Sequence, residues 1–141
     1  MSGIAQVLIK RKFSVSGSDV LNNEQTKKLY SNGARIFNNH NHKNIDTILE
    51  KFPNKKIIAV ISSAIKKNNI ELHYCIEKKI TIRHRSEILS MIMNDFQSIG
   101  VAGTHGKTST STILFTLLDL CTSNVSGIIG GILPKHNNNS F

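Results

Sequence analysis

Tryptophan is absent, and 141 residues contain only two prolines and two cysteines. So little proline, beside nine glycines, excludes collagen-like and Pro-rich low-complexity chains. Two thiols, Cys75 and Cys121, are too few for a disulfide framework and read as small, reduced, buried hydrophobes. The longest apolar run, residues 57–61, falls far short of the roughly 18 residues that span a bilayer, so no membrane insertion is expected. Near the N-terminus Lys10-Arg11-Lys12 follow the apolar stretch instead of preceding it, the reverse of a secretory signal. These absences point to a soluble, cytoplasmic protein. Acidic residues are scarce too: 9 Asp and Glu face 18 Lys and Arg, a net charge of +9. A pI near 9.8 suits a nucleic-acid binder, but the basic residues are scattered in twos and threes along the whole chain. Aromatics at 6% leave few platforms on which bases would stack. A polyanionic small ligand such as a nucleotide accounts for local positive charge equally well. What is present, 39% hydrophobic residues, is enough for the core of about one domain.

Strand-like and helix-like patterns alternate along the chain. Residues 2–12 carry Ile4, Val7 and Leu8 near helical spacing, and residues 13–19 alternate like a strand running into a polar turn. Asn22 and Asn23 offer an N-cap for a helix over 24–32, with Gly33 as its stop. Residues 34–37 form a short strand candidate, and 38–44 read as a loop by composition. The unbroken run Ile57-Ile58-Ala59-Val60-Ile61 suits a strand covered on both faces, hence a parallel sheet. A helix over 68–78, a strand over 80–82 and a helix over 86–96 follow. Residues 98–102 read as a strand, a helix runs from Lys107 to about Leu120, and 125–131 restart a strand before an Asn-rich tail. This rhythm argues an α/β fold with a mainly parallel sheet. A chain that opens in a helix and closes just after a new βαβ unit reads as a piece of a longer protein.

The chemistry concentrates in Gly103-Thr104-His105-Gly106-Lys107-Thr108. A glycine loop opening a helix lets successive backbone N–H groups and the helix N-terminus surround phosphate oxygens. Glycines at 103 and 106 permit the tight path. Lys107 reaches the terminal phosphates, and the Thr108 hydroxyl ligates Mg²⁺. The strict pattern G-x-x-x-x-G-K-[ST] requires a glycine where this chain has Val101, so the match is a near miss whose bland reading is a glycine turn with an exposed lysine. Elsewhere, Asp19 sits where an α/β fold places an acidic ribose reader, or is a turn residue. His40 and His42 read as a solvated loop, lacking the partners that would complete a metal site. His73 and His84 fall on helical segments.

The glycine loop resembles the shortened phosphate loop of the Mur ligases, which build the peptide of peptidoglycan. Its internal histidine is typical of the alanine-adding branch and of a recycling relative that attaches whole peptides. Other pieces resemble the family in the same order: Ser16-Gly17-Ser18-Asp19, then Gly33-Ala34-Arg35-Ile36 with His40. Val60-Ile61-Ser62-Ser63-Ala64-Ile65, Arg85-Ser86-Glu87-Ile88-Leu89 and Ile128-Ile129-Gly130-Gly131 follow. Met1-Ser2-Gly3 looks like the end of the family's first glycine loop, and Ser109 stands where the family usually has threonine.

The resemblance implies an N-terminally truncated Rossmann-like domain over 1–97, its first strand missing, that binds the uridine nucleotide substrate. Residues 98–141 would begin the P-loop ATP-binding α/β domain. It implies ATP-driven joining of L-alanine to UDP-N-acetylmuramate through an acyl phosphate, in cell-wall precursor synthesis, with ATP and Mg²⁺ as cofactors and no nucleic-acid partner. Lys107 would be catalytic; Gly103, Thr104, His105, Gly106, Lys107, Thr108 and Ser109 would bind ATP, with Thr108 on Mg²⁺. Ser2, Gly3, Ser18, Asp19, Ser62, Ser63 and His105 would line the uridine-substrate site, His105 either touching that substrate or bracing the two domains. The recycling relative differs by a segment after the second strand, where this chain has Val20-Leu21-Asn22-Asn23. A non-catalytic nucleotide-binding module and a basic nucleic-acid binder are the remaining alternatives. An isolated chain of this length is expected to be poorly stable and without ligase activity.

Overall fold

Asparagine side chains start three of the helices. The computed structural model describes residues 1–21, 23–122, 125–133 and 138–140; Asn22, half of the expected cap, lies outside them. Asn23 accepts hydrogen bonds from the Gln25 and Thr26 amides at 2.9 and 3.0 Å, and the Thr26 hydroxyl accepts from the Asn23 amide at 3.0 Å. This reciprocal box opens helix α2 (Glu24–Ser31). Asn41 caps α3 (His42–Lys51) by accepting from the Lys43 amide, and Asn69 caps α4 (Ile70–Glu77) by accepting from the Leu72 amide. Each such cap is worth about 1 kcal/mol over alanine. Helix α1 spans Ser2–Lys10, α5 Arg85–Asn94 and α6 Lys107–Cys121.

The ends of the helices follow backbone sterics. After α2 the chain turns at Gly33 with φ 93°, a conformation glycine adopts without a Cβ penalty. After α1 and α4 the same left-handed turn falls on Lys12 (φ 66°) and Lys79 (φ 55°). A Lys79→Gly variant is therefore expected to be about 0.5–1 kcal/mol more stable, the penalty relieved being partly offset by glycine's larger unfolded-state entropy. Urea titration measures this; a midpoint at or below wild type would show that the turn carries no such strain.

Among the described residues six short strands form three pairs. Strands β1 (Ser16–Ser18) and β2 (Arg35–Phe37) run parallel, with Gly17 opposite Ile36. Strands β3 (Ile58–Ile61) and β4 (Thr81–His84) also run parallel, with Val60 opposite Arg83. Strands β5 (Ile128–Leu133) and β6 (Asn138–Ser140) form an antiparallel hairpin. Helices connect the parallel strands, so the chain is a Rossmann-like α/β fold as expected. Among the described residues β1 and β3 each pair along one edge only.

The core is small. Ile4 of α1 packs with Ile88 and Ile92 of α5, flanked by Val7, Leu8, Val60, Leu89 and Ile128. A second cluster joins Phe115 of α6 to Ile129 and Val125. The hairpin closes on α1, where the buried Ser140 hydroxyl donates to Gln6 Oε1 at 2.6 Å. Arg11 ties the end of α1 to the end of α5 through Asp95 at 2.7 Å and lies over the Phe96 ring. Among the described residues no helix is long and apolar enough to cross a membrane.

Several local expectations are corrected. Residues 42–51, part of them read as loop, form α3: Asn41 supplies the cap, and Asn44 is a buried inward-facing residue. Residues 98–102 are not a strand; Ile99 is 66% exposed, and among the described residues no neighbouring strand offers this segment a ladder. Strand β3 is not covered on both faces, and Ile58 is 40% exposed. Within the tail, Asn138–Ser140 is strand β6 because β5 provides antiparallel partners; residues 134–137 and Phe141 lie outside the described residues. Cys75 is buried, but Cys121, the last residue of α6, is exposed. His84 ends β4 and caps α5 instead of lying within a helix.

Candidate functional site

Helix α6 begins at Lys107, directly after the glycine loop. Gly103 (φ 153°) and Gly106 (φ 73°) both occupy backbone territory that side chains disfavour. Gly106 is the N-cap of α6, and no side chain caps this helix. The Thr110 amide already bonds to the Gly106 carbonyl at 2.9 Å, while the amides before it lack intrahelical acceptors by position. A helix start of this kind, uncapped by its own side chains and at the positive end of the dipole, suits anionic oxygens.

Lys107 folds back over the loop. Its Nζ donates to the carbonyls of Gly103 at 2.6 Å and Thr104 at 2.9 Å. The ammonium is thus held at the loop by exposed contacts that an incoming anion can replace. Thr108 stands on the next position and meets β5: a Cβ at Gly130 would lie 3.6 Å from its hydroxyl, and one at Gly131 would lie 2.9 Å from its methyl. Loop amides, a flexible ammonium and an adjacent hydroxyl make a donor set that fits phosphate oxygens, and of these only the Thr108 hydroxyl oxygen could also ligate a hard cation held by those phosphates. His105 is exposed in the loop, and Ser109 is exposed in the first turn of α6.

A second polar cluster gathers at the carboxyl ends of β1 and β2. The Ser18 hydroxyl donates to Glu71 Oε2 and lies 2.9 Å from His40 Nδ1, which is itself 3.1 Å from the same carboxylate oxygen. Glu71 Oε1 accepts from Asn44 Nδ2 at 2.7 Å and from the Asn41 amide at 3.4 Å. With its side chain only 13% exposed, burial pushes the Glu71 pKa up. The hydrogen bonds from Ser18, Asn44, His40 and Asn41 outweigh this and hold it below the ordinary carboxylate value. Burial, and then the Glu71 charge, push the nearby Cys75 thiol up, which makes it a poor nucleophile. One ring nitrogen serves both Ser18 and Glu71, so the trio cannot relay a proton from serine through imidazole to carboxylate. It is a clamp joining β1, the loop after β2, α3 and α4. His40 is therefore not a solvated loop residue, while His42 lies on α3 beside the Tyr74 ring.

The other expected residues are distributed as follows. Ser2 and Gly3 open α1. Burial and then the Arg85 guanidinium lower the pKa of the Met1 amine, so this helix start lies near the end of β4. Ser63 lies 3.2 Å from His84 Nε2, and Ser62 follows β3 directly. Asp19 Oδ1 accepts from the Leu21 amide at 2.9 Å, the geometry of a turn residue. Glu71 went unnoticed in the sequence because a carboxylate in a helix's first turn is ordinarily a favourable surface charge.

A model described as "Mur ligase family, catalytic domain" matches residues 1–97; the glycine loop lies beyond that match. The UDP-N-acetylmuramate–L-alanine ligase of Prochlorococcus marinus subsp. pastoris is 53% identical over 99% of this chain, which spans 30% of that relative. The ligase of the same description from Syntrophomonas wolfei is 39% identical over 94% of the chain and 27% of its own length. Among solved structures, the UDP-N-acetylmuramate:L-alanyl-gamma-D-glutamyl-meso-diaminopimelate ligase of Neisseria meningitides superposes with a TM-score of 0.86 at 22% identity. That match covers 99% of this chain and 42% of the other.

Proposed function

The chain belongs to the Mur ligase family, and on that premise we propose that it is the N-terminal portion of an ATP-dependent ligase joining L-alanine to UDP-N-acetylmuramate. The observation that carries the reading is the helix start at Lys107, launched from two left-handed glycines with its ammonium folded onto the loop. Relatives described as L-alanine ligases favour the alanine-adding reaction over peptide recycling, since the recycling enzyme is similar only at 22% identity.

Residues 1–97 then serve the uridine nucleotide substrate and residues 98–141 begin the ATP-binding part. Bound Mg²⁺ supplies charge neutralisation for the phosphates. The amides of Gly103, Thr104, His105, Gly106, Lys107, Thr108 and Ser109 orient the triphosphate. The Lys107 ammonium leaves its two carbonyls and stabilises negative charge as the terminal phosphoryl group moves to the substrate carboxylate; the Thr108 hydroxyl holds the metal. Such transfer depends mostly on positioning and electrostatics. Ser2, Gly3, Asp19, Ser62 and Ser63 act at the uridine substrate, and His105 faces it from the loop. The Ser18 hydroxyl is engaged with Glu71, so its contribution is to shape the end of β1. Ligase turnover is proposed for the protein with its remaining parts present, as in the relatives, and in the cytoplasm where these substrates occur.

Calorimetric titration of the chain tests the reading. Binding of MgATP and of UDP-N-acetylmuramate with weak salt dependence is expected. Binding of neither, or steeply salt-dependent DNA binding instead, would overturn it.

A further inference from the structure

We propose that Gly131 is a positioning residue, which sets the rotamer of Thr108 and through it the metal-dependent part of nucleotide binding. This rests on the phosphate-loop reading above. Thr108 lies against β5 with its hydroxyl beside Gly130 and its methyl beside Gly131. At Gly130 an added Cβ would make an ordinary contact with the hydroxyl, at 3.6 Å. At Gly131 it would come within 2.9 Å of the Thr108 methyl, closer than carbon atoms tolerate. The backbone at Gly131 lies outside the left-handed region, so alanine fits the strand in every respect but this contact.

The relief available is rotation of Thr108 about χ1. A threonine on a helix divides between two staggered rotamers, so the methyl leaves the contact by rotating, at a cost in its packing against β5, and the hydroxyl swings with it. The bare backbone at 131 thus permits the rotamer in which the methyl faces Gly131 and the hydroxyl lies beside Gly130. Glycine here shapes the hydroxyl one layer away and touches no ligand itself.

The experiment compares ATP affinity with Mg²⁺ and with EDTA for four chains: wild type, Gly131→Ala, Thr108→Ser and the double variant. Wild type is expected to bind at least about tenfold more tightly with Mg²⁺, the worth of one charge-assisted contact. In Gly131→Ala that ratio should collapse toward one while affinity in EDTA stays within about twofold. Thr108→Ser keeps the hydroxyl and removes the colliding methyl, so the double variant should recover the wild-type ratio. The same rescue should appear in the melting temperature without nucleotide, a readout that owes nothing to binding. If Gly131→Ala does not fold, the double variant decides: regained folding and metal dependence support the proposal, and their absence overturns it. Metal-dependent binding that Gly131→Ala leaves intact would overturn this inference alone. A wild-type chain without metal-dependent ATP binding would overturn the phosphate-loop reading together with it.

Discussion

Lys107→Ala is expected to weaken MgATP binding by the chain about 10–100-fold while leaving its stability within about 0.5 kcal/mol of wild type. The two halves of this expectation have separate causes. Among the described residues the ammonium donates to the carbonyls of Gly103 and Thr104 alone, and all three residues are exposed. Water replaces those contacts on truncation, so folding loses little. Against a triphosphate the same ammonium makes charge-assisted hydrogen bonds, each worth about 1.5–3 kcal/mol, and no other side chain in the loop carries a fixed positive charge. In the intact ligase the cost should be larger, about 10²–10³ in kcat, because negative charge shifts at the transferring group as the reaction proceeds. Lys66→Ala, which removes the same charge from an exposed position outside the glycine loop, controls for the general field of a basic protein and should change affinity less than twofold. Equal losses in the two variants would mean that net charge, and not the loop, attracts the nucleotide.

The glycine loop was legible because its chemistry is local. Two glycines, a lysine and a hydroxyl within six residues carry their own geometry, and helix α6 begins where that geometry requires. The α/β class was legible for a related reason: alternation of apolar runs and helical spacing is written into short windows. What the sequence concealed depends on partners far along the chain. Residues 98–102 have the composition of a strand, but a strand exists only when a neighbour supplies its ladder, and none does here among the described residues. The Asn-rich ending carries no apolar alternation, yet Asn138–Ser140 pairs with β5. Asparagine misled in a second way. In Asn41-His42-Lys43-Asn44 it signals a loop by composition, whereas Asn41 caps α3 and Asn44 points inward to Asn39 and Glu71. Gly130-Gly131 was recognisable as a motif, but its reason, the closeness of Thr108, is visible only in three dimensions.

The clamp around Glu71 gives the largest expected effect on stability. Glu71→Ala should destabilise the chain by about 2–4 kcal/mol, because truncation leaves Asn44 Nδ2, the Ser18 hydroxyl and His40 without their shared acceptor in a half-buried site. Glu71→Gln should cost less, since one amide oxygen can still accept from Asn44. The pH dependence separates charge from shape. The folded-state pKa of Glu71 lies below its unfolded value, so the stabilisation is fully present above the ordinary carboxylate range, about pH 4. As pH falls through that range the unfolded chain takes up the proton first, and stability declines until the folded carboxylate is protonated as well. Glu87, whose pKa is lowered by the His84 amide and then by Arg83, contributes to the same acid slope and is common to both proteins. The difference between wild type and Glu71→Gln therefore reports the Glu71 carboxylate together with its His40 partner: their stabilities should converge as pH is lowered from 6 to about 3. Denaturant midpoints across that range decide the matter. A gap that stays constant with pH would mean that the clamp works by shape and hydrogen-bond count, with the carboxylate charge contributing nothing.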